Sequence, residues 1–74
     1  MLFESKHTTA KMLIGYRQIP QGWEVRNHMQ VICDRTGDAG VLIRNKKTGA
    51  YALWDVRMLK TIPQWEAVAV DREK

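Results

Sequence analysis

Two kinds of side chain alternate through residues 23–34, and this period of two constrains the fold more than any other feature of the chain. Trp23, Val25, Asn27, Met29, Val31 and Cys33 share one parity, while Glu24, Arg26, His28, Gln30, Ile32 and Asp34 share the other. A strand sends successive side chains to opposite faces, so one set packs on a core and the other meets water. The stretch is longer than the five or six residues of an ordinary strand, which implies a bend or bulge near its middle. Beyond it, Arg35-Thr36-Gly37-Asp38-Ala39-Gly40 reads as a loop, followed by the strand Val41-Leu42-Ile43-Arg44. Asn45-Lys46-Lys47-Thr48-Gly49 then fits a hairpin connection in which a type I turn ends on a left-handed glycine. The next strand is Ala50-Tyr51-Ala52-Leu53-Trp54. Two consecutive antiparallel hairpins result.

The flanking segments are less regular. Residues 1–9 have an apolar start and then a polar run without clear period. Residues 10–19 match helical and extended spacing almost equally, and Gly15 costs about 1 kcal/mol inside a helix, so we read a strand. Pro20-Gln21-Gly22 turns the chain. Residues 56–62 offer one more strand, which Pro63 stops. For residues 64–74 we favour a short helix, because Pro63 suits a helix start and Glu66 its first turn. Ile19-Pro20-Gln21-Gly22-Trp23-Glu24-Val25 has an echo in Ile62-Pro63-Gln64-Trp65-Glu66-Ala67-Val68. We read it as two uses of Ile-Pro at an element boundary rather than as a repeat.

Val31-Ile32-Cys33 and Val41-Leu42-Ile43 are apolar at both parities, so these strands need cover on both sheet faces. Candidates for the cover over Ile32 and Leu42 are the N-terminal segment, the C-terminal helix, barrel closure or a second subunit. The expected architecture is therefore mainly β, with a β-rich α+β arrangement as its variant. It is a small bent antiparallel sheet of four or five strands with a short C-terminal helix. In size and strand count alone it is similar to an SH3-type half-barrel.

With 74 residues the chain is expected to be a single small domain, residues 1–74. A core of this size supplies only about 3–5 kcal/mol unaided, so homodimer formation is an expectation to carry. The lone Cys33 excludes an internal disulfide and suits a reducing compartment. No apolar run approaches the ~20 residues of a spanning helix, and the N-terminus lacks the apolar region of a secretory signal. No membrane association and a cytoplasmic location are the corresponding expectations.

Little in the chain points to catalysis. His7, His28 and Cys33 lack the paired spacing of a structural zinc site. By parity His28 and Cys33 project from opposite faces of one strand, which rules against a nucleophile–base pair. Cys33 reads instead as a small buried hydrophobe. Asp34 and Asp38 are explained by turn chemistry, and no phosphate-cradling loop or dinucleotide fingerprint is present. The expectation is a protein that is not an enzyme and holds no metal or other cofactor.

Charge gives the remaining clue. Twelve Lys and Arg stand against eight Asp and Glu, a net charge of +4. Over residues 5–62 ten basic residues face four acids, whereas the segment from Pro63 onward is slightly acidic. A basic body with aromatics suits a polyanion. Our first functional reading is a non-catalytic module that contacts nucleic acid, or an acidic nucleoprotein surface, through a sheet face. Arg26, His28, Arg44, Lys46, Lys47, Tyr51 and Arg57 would supply the contacts. The alternative is a small protein-interaction or inhibitor module, of the kind mobile elements and phages use to block a host complex. Trp54 and Trp65 would be its aromatic anchors, since Trp beside Arg is typical of interface hot spots.

Overall fold

The fold was analysed in a computed structural model that describes residues 1–71. It contains the strands β1 (Leu2–Thr9), β2 (Trp23–Val25), β3 (Met29–Cys33), β4 (Ala39–Asn45), β5 (Tyr51–Asp55) and β6 (Met58–Ile62) and the helix α1 (Gln64–Ala67). All pairings are antiparallel, in the order β1-β3-β4-β5-β6, with β2 pairing on β4 beyond β3. The sheet bends but does not close. The mainly β architecture and the short C-terminal helix agree with expectation. The strand expected over residues 10–19 does not form: two 3-10 turns, Ala10–Met12 and Tyr16–Gln18, stand there instead. The expected helix ends at Ala67, and the part of that expectation beyond residue 71 lies outside the described residues.

β4 explains the architecture. Its apolar triplet is fully buried, with Val41 and Ile43 facing one layer and Leu42 facing the other. Register carries this through β5: Leu42 lies opposite Leu53, while Val41 and Ile43 lie opposite Trp54 and Ala52. Leu42 and Leu53 join Leu2, Val31, Cys33, Tyr51 and Ile62 under Ala67 and Val70, so α1 and the residues after it cover this face. Val41, Ile43 and Ala52 join Ala10, with Leu13, Tyr16, Ile19, Trp23, Val25 and Trp54 packed against them. The 3-10 segment therefore covers the second face. Over β4 and β5 the chain itself covers both faces, while Phe3, opposite Ile32, and Leu59, opposite Trp54, stay exposed.

The hairpin between β4 and β5 forms as its residues predict. The Asn45 side-chain oxygen accepts from the amides of Lys47 (2.9 Å) and Thr48 (3.0 Å), and the Gly49 amide donates to the Asn45 carbonyl at 2.8 Å. Gly49 sits at φ +78°, the left-handed position where an L side chain is strained.

The alternation through residues 23–34 holds locally but reverses once. Val25 lies opposite Ile43, and Val31 lies opposite Gly40. Six residues on one strand thus span three on β4; the Arg26 amide still donates to the Leu42 carbonyl at 2.8 Å, so the three extra residues fall between Arg26 and Val31 and bulge out of the ladder. An odd excess flips every later side chain to the other face. Trp23 and Val25 consequently pack in the 3-10 layer, whereas Val31 and Cys33 pack under α1. Asn27 holds the bulge. Its amide nitrogen donates to the Val70 carbonyl (2.7 Å) and to Glu4 (2.9 Å), and its oxygen accepts from the Met29 amide (2.8 Å). A buried amide with these partners avoids the ~1–3 kcal/mol of an unsatisfied polar group.

Candidate nucleic-acid interface

The bulge redistributes the residues that parity would gather on one face. Arg26 is covered: its side chain is 18% exposed and its Nε donates to Asp71 Oδ1 at 3.0 Å, with Glu24 3.6 Å away. Tyr51 is buried beneath the same carboxylate and donates its hydroxyl to Asp71 Oδ2. Burial, and then the hydrogen bond to Asp71 and its charge, push the Tyr51 phenol above its ordinary pKa. Arg44 lies over the Tyr51 ring at 5.8 Å from its centroid, and its Nε is buried without a hydrogen-bond partner among the described residues. Arg26, Arg44 and Tyr51 are therefore brought together, but as an internal knot that ties the segment after α1 to the sheet. A buried Tyr51 offers no ring for a base to stack on.

The other expected contact residues remain at the surface. Lys46 and Lys47 are exposed at the β4–β5 tip, Arg57 is exposed in the β5–β6 turn, and His28 is exposed in the bulge. The tip and the Arg57 turn lie at opposite ends of β5, a five-residue strand, so roughly 17 Å separates them at about 3.4 Å per residue. Trp54 packs in the 3-10 layer and donates its indole N–H to the Gly15 carbonyl at 2.9 Å. Trp65 stands 75% exposed on α1, beside exposed Val68.

A larger asymmetry emerges when the acids are placed. Glu4 and Glu24 register on the α1 face, opposite Val31 and Arg44. Glu66 is buried there, bound by Arg35 at 2.9 Å and by the Met1 amino group at 3.1 Å; that amino group also holds Asp34 at 2.7 Å. Asp71 joins the Tyr51 knot. Asp38 and Asp55 line a cleft of about 210 Å³ with Leu53, Met58 and Lys60 on the same side. All seven acids of the described residues thus lie on the α1 side or at its rim.

The 3-10 layer has none. From Ser5 to Trp23 the sequence has Lys6, His7, Lys11 and Arg17 and not one carboxylate. Lys11 and Arg17 are exposed on the outside of the layer and make no ion pair among the described residues, and neither do Lys46 and Lys47. The layer runs into the hairpin tip, because the Lys46 amide donates to the Gly22 carbonyl at 2.9 Å. Its other end meets the Arg57 turn. A Cβ on Gly15 would stand 2.9 Å from Val56 Cα, so only glycine lets the layer seat there.

Between the layer and the bulge lies a cavity of about 260 Å³ lined by Thr9, Ala10, Lys11, Tyr16 and His28. Its walls are pinned by the Ala10 amide, which donates to the His28 carbonyl at 2.8 Å. Of the residues expected from sequence, His28, Lys46 and Lys47 belong to this surface. Lys11, Tyr16 and Arg17 were not among them; the absence of acids over residues 5–23 was the signal that points to them. Comparison with protein-family models, with curated proteins and with solved structures finds no match to this chain. No helix among the described residues is long and apolar enough to cross a membrane.

Proposed function

We propose that the protein is a non-catalytic nucleic-acid-binding module whose contact surface is the acid-free 3-10 layer, continued by the Lys46-Lys47 tip. The separation of charge carries this reading. Among the described residues the carboxylates lie on the α1 side, several of them matched with cations, while Lys11, Arg17, Lys46 and Lys47 face solvent with no acid among them. A single-sign surface attracts a polyanion and releases its condensed counterions, which makes affinity fall with salt. Anisotropy of a labelled oligonucleotide, titrated from low to physiological salt, tests the reading. Four phosphate contacts on a single strand give a slope of about −3 in log K against log salt, from ~0.7 per contact. A flat response, or no binding at low salt, removes the proposal.

A second reading rests on one observation. Trp65 on α1 and Val68, the residue that ends it, are 75% and 53% exposed, as an aromatic anchor for a protein partner would be. A partner that stays bound after nuclease treatment, and is lost in Trp65→Ala, would replace the first reading by this one.

A further inference from the structure

We infer that the cavity between the 3-10 layer and the bulge is a pocket for one unstacked base of a single strand, with Tyr16 as its platform. The inference rests on the proposed function and adds to it the class of nucleic acid that the surface selects. Four features of the cavity converge. Its volume, about 260 Å³, falls just under the ~300–1,000 Å³ of drug-sized ligand sites, which suits one ring system rather than two stacked ones. Its lining includes two aromatic residues, Tyr16 and His28, together with Thr9 and Lys11, and no acidic residue. The Tyr16 side chain makes no hydrogen bond among the described residues, so its ring is not tied to another polar group. Lys11 in the lining and Arg17, next to Tyr16 in the chain, are both exposed and are the cations that flanking phosphates would meet.

The cavity is also built rather than incidental. Tyr16 is half-buried against the Val41–Ile43–Ala52 cluster, and its amide donates to the Leu13 carbonyl at 3.2 Å. Ala10, 1% exposed, forms the floor beside the pinned His28 carbonyl. A ring held this way stacks a base with little ordering cost, and such stacking tolerates every base. Bases inside a duplex are already stacked and paired, so this pocket discriminates against double strands.

The test compares a labelled 12-nucleotide single strand, as RNA and as DNA, with the duplex of the same sequence, using wild type, Tyr16→Phe, Tyr16→Leu and Lys46→Ala/Lys47→Ala. Tyr16→Leu keeps an apolar side chain on the cluster, and thermal unfolding checks that it folds. Both single strands are expected to bind at least about tenfold more tightly than the duplex. Tyr16→Leu should lose at least about fivefold on the single strand, the lower end of base–aromatic stacking, with an unchanged salt slope. Tyr16→Phe should bind as wild type to within about threefold. The lysine pair should reduce the salt slope yet keep the single-strand preference. A single strand carrying abasic sites should show the same loss without any change to the protein. Equal binding of duplex and single strand, or an abasic strand bound as tightly as the intact one, overturns the pocket. If that happens while the steep salt dependence persists, only this inference fails; if nothing binds at low salt, the proposed function fails with it.

Discussion

The two layers that cover the sheet use opposite chemistry. Over one face, α1 and the residues after it bury Ala67 and Val70 but also Glu66 and the Asp71 side chain, each matched with a cation or a donor. Over the other face, the 3-10 segment packs only Ala10, Leu13, Tyr16 and Ile19 inward and leaves its cations in water. Polar groups in the first layer are used to hold the chain together; those in the second are left for another molecule. A buried charge costs several kcal/mol unless it is paired, so the first layer's charges are structural. Exposed lysines contribute almost nothing to stability, so the second layer's charges are dispensable to the fold.

The largest expected effect sharpens this contrast. Asp71→Ala removes the acceptor of the buried Tyr51 hydroxyl and one of the carboxylates that Arg26 binds, which should cost about 2 kcal/mol in urea unfolding, from ~1–3 for one stranded donor. Lys11→Ala/Arg17→Ala should shift the same curve by less than about 0.5 kcal/mol. Equal losses in the two variants would erase the distinction between the layers.

A smaller effect concerns pH. The Tyr51 phenol is held above its ordinary pKa, chiefly by burial and then by Asp71. Its contribution is therefore fully present below pH ~10, the pKa of a free tyrosine. It is lost as pH rises further, because the unfolded chain then releases a proton that the folded one keeps. Thermal melts from pH 8 to 11 should fall more steeply for wild type than for Tyr51→Phe above that point. Identical alkaline limbs would place the phenol in an ordinary environment.

Much of this architecture is legible in the residues, and the gaps have physical causes. The β4–β5 hairpin was legible because Asn45 and Gly49 each have one dominant local use. Two-sided burial of β4 was legible because Val41-Leu42-Ile43 leaves no polar face. β1 was not, because Ser5, Lys6 and His7 of this edge strand, unlike its Leu2, stay out of the core, so no alternation is imposed on them. The 3-10 turns escape a periodicity reading because three-residue elements have no period to show. The candidate site was partly legible. The basic surplus and His28, Lys46 and Lys47 were apparent, but parity was extended past Arg26, where the bulge before Val31 reverses it. Arg26 keeps the face that parity gives it, but Asp71 covers that face and binds it, and stacking on Tyr51 hides Arg44 from the count of available cations.

The most direct test of the account is a backbone amide chemical-shift titration of the isotopically labelled protein with a short single strand at low salt. The account predicts that the perturbed amides trace Lys11, Tyr16, Arg17, His28, Lys46 and Lys47, while those of Arg26, Tyr51, Glu66 and Trp65 stay in place. Perturbations centred on α1 and β6, with the 3-10 layer silent, would contradict it.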